Sequence, residues 1–340
     1  MIRNRFGETH GRWLALLLLL MAWASLAAPQ KAAAQDCDTV ASCIQQLRYG
    51  ETRNRREQAA RYLGERGAGQ AVPYLAEALS KDTSEFVRLH AVQALVLIGT
   101  PEALQTLLNA AQNDKSPEVR AAAARALGQI KGDPTLLALK TLLENEEVWQ
   151  VRSAAVVALG ALDSGGAVAI LIGLLRGEPR MEVRIQALQS LARLQGEGVA
   201  TALLTSLKED KEPLVRIQAA ETLLKTKGEN VTKLMTERLV ADPDREVRAA
   251  IARVMGARGD ETAVPPLVET VRGDPDLSVR LAATLALGAL GGGAAKDALN
   301  YYASASHFNE IRNTALLALD QIRSREASAP PAEPAPTAVK

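Results

Sequence analysis

The sequence predicts an all-α protein, an α-α superhelix of about nine helical hairpins, each roughly 32 residues long. The first observation behind this is a Val-Arg or Ile-Arg pair that recurs without insertion. It stands at Val87-Arg88, Val119-Arg120, Val151-Arg152, Val183-Arg184, Val215-Arg216, Val247-Arg248, Val279-Arg280 and Ile311-Arg312. One further step back reaches Arg55-Arg56, which keeps the arginine alone. The second observation is a set of apolar columns at fixed distances from that valine. A strict period of this size marks a solenoid, in which each unit buries its apolar face only against its neighbours.

The elements follow in chain order. Arg3, Arg5 and Arg12 precede an apolar run from Trp13 to Ala28, and Ala32-Ala33-Ala34 precedes Gln35. A basic start, an apolar middle and small residues at the end predict a signal peptide over residues 1–34, and hence export to the periplasm or beyond the cell. Sixteen apolar residues fall short of the ~18–20 that span a bilayer, so no stable membrane insertion is expected after cleavage. No lipidation box precedes Cys37. The segment 1–34 holds four of the 40 basic and one of the 39 acidic side chains. The remainder keeps 36 and 38, a net charge of −2, which lacks the basic excess that nucleic-acid binding uses.

Residues 35–52 read as a capping half-repeat. Cys43 and Leu47 fall on the offsets of a second helix, so Thr39–Arg48 is expected to cover the first full hairpin. In an exported chain a close, even cysteine pair such as Cys37 and Cys43 predicts a structural disulfide. Free thiols are the alternative. Zinc would need further ligands, and the remaining histidines, His90 and His307, stand 217 positions apart.

Residues 53–323 carry the repeats. Counting each valine as zero, +4 is Ala in eight of nine repeats and Ile251 in the other, while +8 is Leu or, once, Met255. Apolar residues at 0, +4 and +8 form one helical stripe, and the small +4 residue lets two helix backbones approach. A Gly-containing break follows, such as Lys131-Gly132-Asp133-Pro134. A second stripe then runs through +20, from Leu75 and Leu107 to Leu299, and through +24. Ser116, Asp244 and Asp276 precede first helices as N-caps, with Pro117 suited to the first turn. Residues 324–340, rich in Ala and Pro, have no apolar period and predict a disordered tail.

Val-Arg-x-x-Ala-x-x-Ala-Leu-Gly, as in Val119–Gly128, Val151–Gly160 and Val279–Gly288, resembles the HEAT-like repeat of the phycobilisome-lyase type. The resemblance covers residues 53–323, is specific for fold and is nearly silent about activity. It implies a right-handed superhelix whose second helices line the concave side. Two turns depart from the pattern: Ala192 and Leu224 replace the usual glycine next to Arg193 and Lys225, where a change of curvature is expected.

For function, the arginine column invites two readings. Arg88, Arg120, Arg152, Arg184, Arg216, Arg248 and Arg280 could form an anion-binding ladder. An acid, however, stands six residues before the arginine at seven of eight junctions, and a guanidinium fork suits carboxylates. An internal ladder joining neighbouring hairpins accounts for both columns and makes these residues structural.

Positions +18 and +22 of the second helices are expected to face the groove. In the middle repeats they are small and mostly uncharged: Leu137, Thr141, Ala169, Gly173, Thr201 and Thr205. These form a candidate peptide or protein site, set against an ordinary solvated face. Trp149 and Met181 open adjacent first helices, either as an exposed contact ridge or as covers over their own seams. No catalytic, cofactor-binding or metal site is expected. His90 is followed by Ala91 and His307 by Phe308, so the His-Glu pairs of the diiron hydroxylases on this scaffold have no counterpart. No phosphate loop or nucleophile elbow occurs. The expectation is a non-catalytic, monomeric exported scaffold for a protein or peptide. The alternative is a bilin-lyase-like or hydroxylase-like enzyme subunit.

Overall fold

A computed structural model describes residues 37–130, 132–194, 198–226 and 229–328. Residues 1–34, where a signal peptide is expected, lie outside them, as do residues 329–340. The described residues form eighteen α-helices and three short 3-10 turns, with no strand among them. The first helices of the nine repeats are α2 (Arg53–Glu65), α4 (Glu85–Ile98), α6 (Pro117–Leu127), α8 (Trp149–Leu159), α10 (Met181–Leu191), α12 (Pro213–Thr222), α14 (Arg245–Arg258), α16 (Leu277–Leu290) and α18 (Asn309–Ser328). Alternating with them are α1 (Val40–Tyr49), α3 (Val72–Lys81), α5 (Pro101–Asn113), α7 (Asp133–Asn145), α9 (Gly165–Gly177), α11 (Val199–Glu209), α13 (Glu229–Ala241), α15 (Val264–Gly273) and α17 (Gly292–Ala305).

The columns become the core. Side chains at offset 0, from Val87 to Ile311, and those at offsets +4 and +20 are all buried, in one cluster that runs the length of the chain. Each buried Leu or Val contributes about 1.5–3 kcal/mol, so the same small contribution is repeated along the solenoid. Helix starts are set locally. Ser116 accepts from the Val119 amide, and Asp244 accepts from Glu246 and Val247. Pro101, Pro117 and Pro213 occupy first turns, where no intrahelical amide partner is lost.

At the N-terminus Thr39 caps α1 through a reciprocal pair with Ser42. Cys37 and Cys43 are joined as a disulfide, with Cα atoms 4.7 Å apart. The Tyr62 hydroxyl on α2 donates to the Asp38 carbonyl (2.7 Å), tying this leading segment to the first layer.

The other end corrects the sequence reading. Helix α18 continues to Ser328, into the stretch expected to be disordered from 324. Arg325 donates to the Gly288 and Ala289 carbonyls at the end of α16, and Glu326 pairs with Lys296. These contacts satisfy carbonyls that a helix terminus leaves open and hold a turn that has no apolar period.

Candidate functional site

Seven arginines share one geometry. Arg56, Arg88, Arg120, Arg152, Arg184, Arg216 and Arg248 each direct Nε and Nη2 at a carboxylate 26 residues further on, at 2.6–3.1 Å. That carboxylate lies at the end of the same repeat's second helix. In each of the seven, Nη1 donates to the carbonyl six residues before the arginine, in the preceding junction. One carboxylate oxygen also accepts the amide two residues beyond itself, as in Ser84 to Asp82 and Ser116 to Asp114.

One side chain therefore closes its own hairpin and ties it to the hairpin before. The acid six residues ahead contributes its backbone, not its carboxylate, to that arginine. Hydrogen bonds donated to the carboxylates raise the pKa values of Arg56, Arg120, Arg152 and Arg248 above the ordinary arginine value. Burial works to raise the pKa of Asp242, but bonds from Arg216, Arg238 and the Asp244 amide outweigh it and leave it low. At Glu146 burial is likewise outweighed, by Arg120 and the Val148 amide. Arg280 departs from the column: Ser306 stands where its acid would be, and its Nε donates to the Val271 carbonyl instead.

The two helix layers are spaced differently. Consecutive first helices meet more extensively than consecutive second helices do. At five seams a glycine at +9 lies under the +7 residue of the next first helix. A Cβ added at Gly64, Gly128, Gly160, Gly256 or Gly288 would meet that residue at 2.5–2.7 Å. A double layer bends toward its more closely spaced side, so the first helices form the inner face. This overturns the expectation that the second helices, with positions +18 and +22, line the concave side.

The second helices are splayed instead, and clefts open between their C-terminal halves above the arginine rungs. One of about 520 Å³ is lined by Ile172, Leu175, Arg176, Thr205, Ser206, Glu209 and Lys211. Others hold Arg48, Tyr49, Tyr74 and Lys81, or Ser80, Thr106, Asn109 and Lys115. Of the predicted groove residues, Thr205 enters such a cleft. Leu137 is 65% exposed, and Ala169, Gly173 and Thr201 are exposed on their helices. The hydroxyls of Thr141 and Thr205 donate to the carbonyls four residues back, Leu137 and Thr201, so both donors are spent within their own helices.

Trp149 and Met181 are half-buried against the core, and Arg180 lies 5.4 Å from the Trp149 ring centroid. They cover their seams more than they project. The cleft residues Ile172, Arg176 and Lys211 were missed because only +18 and +22 were read. Basic residues at the ends of second helices, recurring as Arg48, Lys81 and Arg176, were the available signal. Among the described residues no group of three or more His, Cys, Asp or Glu is placed to hold a metal. His90 Nδ1 is buried without a partner, and burial lowers its pKa against the opposing pull of Glu57.

A double layer of hairpins, bent toward an alanine-rich face and cross-linked by arginine rungs, defines a helical-repeat solenoid. The chain belongs to the HEAT-repeat family: HEAT repeats match residues 40–128, 104–192, 136–224, 168–252 and 232–320. Among solved structures it is similar to Kap121p bound to Ste12p, at 15% identity and a TM-score of 0.60 over 83% of this chain and 37% of that one. It is similar to importin beta at 15% identity and a TM-score of 0.54, over 85% and 45%. Human deoxyhypusine hydroxylase shares 23% identity over 77% of this chain and 99% of its own, with a TM-score of 0.35. No curated protein sequence matches the chain.

Proposed function

We propose that this protein is an exported, non-catalytic scaffold that binds a protein or peptide through the clefts between its second helices. The observation that carries this reading is the cleft between α9 and α11. Its floor is Ile172 and Leu175, and Arg176, Glu209 and Lys211 stand at its edge. An apolar floor with a charged rim suits a polypeptide segment, which offers apolar side chains and polar backbone together. Solenoids of this fold elsewhere carry protein partners: Kap121p is bound to Ste12p, to Ulp1p and to the extreme C-terminus of Cdc14p. The Cys37–Cys43 disulfide supports an oxidising compartment, and the basic-apolar N-terminus supports export as a monomer freed of residues 1–34.

A photo-crosslinker placed at Thr205 in cells is expected to capture one defined protein. The same group at Arg125, exposed on the first helix α6, is expected not to, and Lys211→Glu should weaken the capture. The same set of adducts from both positions, or none from Thr205, would remove the reading. Mass spectrometry of the protein from cells tests export directly, with Gln35 as the expected first residue.

A further inference from the structure

The eighth arginine of the column stands without its carboxylate and outside the rung geometry, its Nε turned to a backbone carbonyl. Ser306 occupies the acid position, and its hydroxyl engages the backbone of Phe308. Arg280 Nε donates to the Val271 carbonyl at 2.6 Å. Among the described residues neither of its terminal nitrogens has a hydrogen-bond partner. The side chain is nevertheless held. It is half-buried, and the Phe308 ring lies over the guanidinium with its centroid 4.3 Å away. Phe308 is 46% exposed and the nearby Tyr301 64% exposed. Tyr301 packs edge-on against Tyr302, whose hydroxyl is anchored to the Val268 carbonyl.

A guanidinium fixed at Nε and by ring stacking, with its outer donors free, has already given up the freedom that carboxylate binding would cost. The other seven arginines use Nε and Nη2 where Arg280 offers its two terminal nitrogens, and they show the ligand that the column takes. It is an acidic side chain whose own carboxylate also receives the amide two residues further on, as Asp114 receives Ser116.

We propose that Arg280 is a docking point for an Asp or Glu on a bound polypeptide, the partner's carboxylate accepting from Nη1 and Nη2 while Phe308 and Tyr301 give aromatic contact beside it. Charge complementarity and the exposed aromatic edge favour a polypeptide over a free small anion. The proposal rests on the reading of the chain as a polypeptide-binding scaffold but is tested apart from it. A partner captured at Thr205 that is indifferent to Arg280 would remove the docking point alone.

The probe is the C-terminally amidated peptide Ala110–Pro117 of this chain, whose one acid is Asp114, beside the same peptide with Asp114→Asn. Binding to the whole protein is followed by NMR of the arginine Nε–H signals. The acidic peptide is expected to shift the Arg280 signal, with the Asn form about tenfold weaker or worse, as for a lost charge-assisted bond. Arg280→Lys, which keeps the charge but not the fork, should lose the preference for Asp. Ser306→Asp supplies the carboxylate from within, so it should abolish binding while the melting temperature holds or rises, which separates loss of the site from loss of fold. Equal binding of the Asp and Asn peptides, no saturable shift at millimolar peptide, or unchanged binding by Ser306→Asp would each overturn the proposal.

Discussion

The seams on either side of α16 and those on either side of α12 close the same inner layer by different means. At the first, Gly256 and Gly288 let α14, α16 and α18 approach until a single added carbon would overlap Ala286 or Ala318. At the second, Ala192 and Leu224 stand at the glycine offset, with Thr222 and Val254 at the +7 offset of the next helix, and the helices meet less extensively. Helix α12 stops at Thr222 and tightens into a 3-10 turn over Leu223–Lys225. Polar contacts take over there. Asp242 is almost fully buried and accepts from both Arg216 and Arg238, and Arg258 donates to the Leu223 and Thr226 carbonyls that the broken helix leaves open. The rung is common to both kinds of seam, and where a side chain replaces the glycine Arg238 and Arg258 add polar contacts to it.

The comparison is broken most severely at its polar side. Arg216→Ala leaves Asp242 in a buried site with Arg238 and the Asp244 amide as its remaining partners and is expected to cost about 3–5 kcal/mol, read by urea denaturation, with exchange of the α12 amides accelerating first. An equal loss from Arg152→Ala would mean that repeat six does not depend on its rung more than its neighbours do. At the packed side, Gly256→Leu forces α14 and α16 apart and should cost about 1–3 kcal/mol, or more if the backbone cannot yield. Leu224→Ile, where a large residue is already accommodated, should cost under ~1.5 kcal/mol by the same measurement.

Acid has the smallest effect. The folded pKa values of Asp242 and Glu146 are lowered, so their contribution is complete above the ordinary carboxylate value of about 4 and declines as pH falls through and below it. Arg216→Ala should flatten that decline relative to the unmodified protein. A decline of the same steepness in both would show that the Arg216–Asp242 rung is not its source.

The fold was legible because its signal is repetitive. Val87, Ala91 and Leu95 repeat their burial in the later repeats, so chance patterns average away. The direction of the bend was not, because it depends on how closely two layers pack. In the sequence the +9 glycine, as at Gly128, reads as part of a turn, although it is a point of contact with the next repeat. The arginines were recognised as structural, but sequence proximity to Asp114 concealed that Arg120 reaches forward to Glu146. The cleft between α9 and α11 was illegible for a similar reason. Ile172 and Lys211 meet only when two successive repeats splay, and no single helix shows that.

The rung also sets how such a chain can change. Each of the seven rung arginines holds a carboxylate 26 positions ahead with one edge and a carbonyl six positions behind with its tip, as Arg120 does, and these two spans together make one full period. An insertion in either loop would detach one end of the fork at every copy it touched. Whole units can be gained or lost without disturbing any rung, so length is free to vary only in steps of a complete repeat. The arginine works as a gauge, and it accounts for a spacing that eight successive intervals leave unaltered.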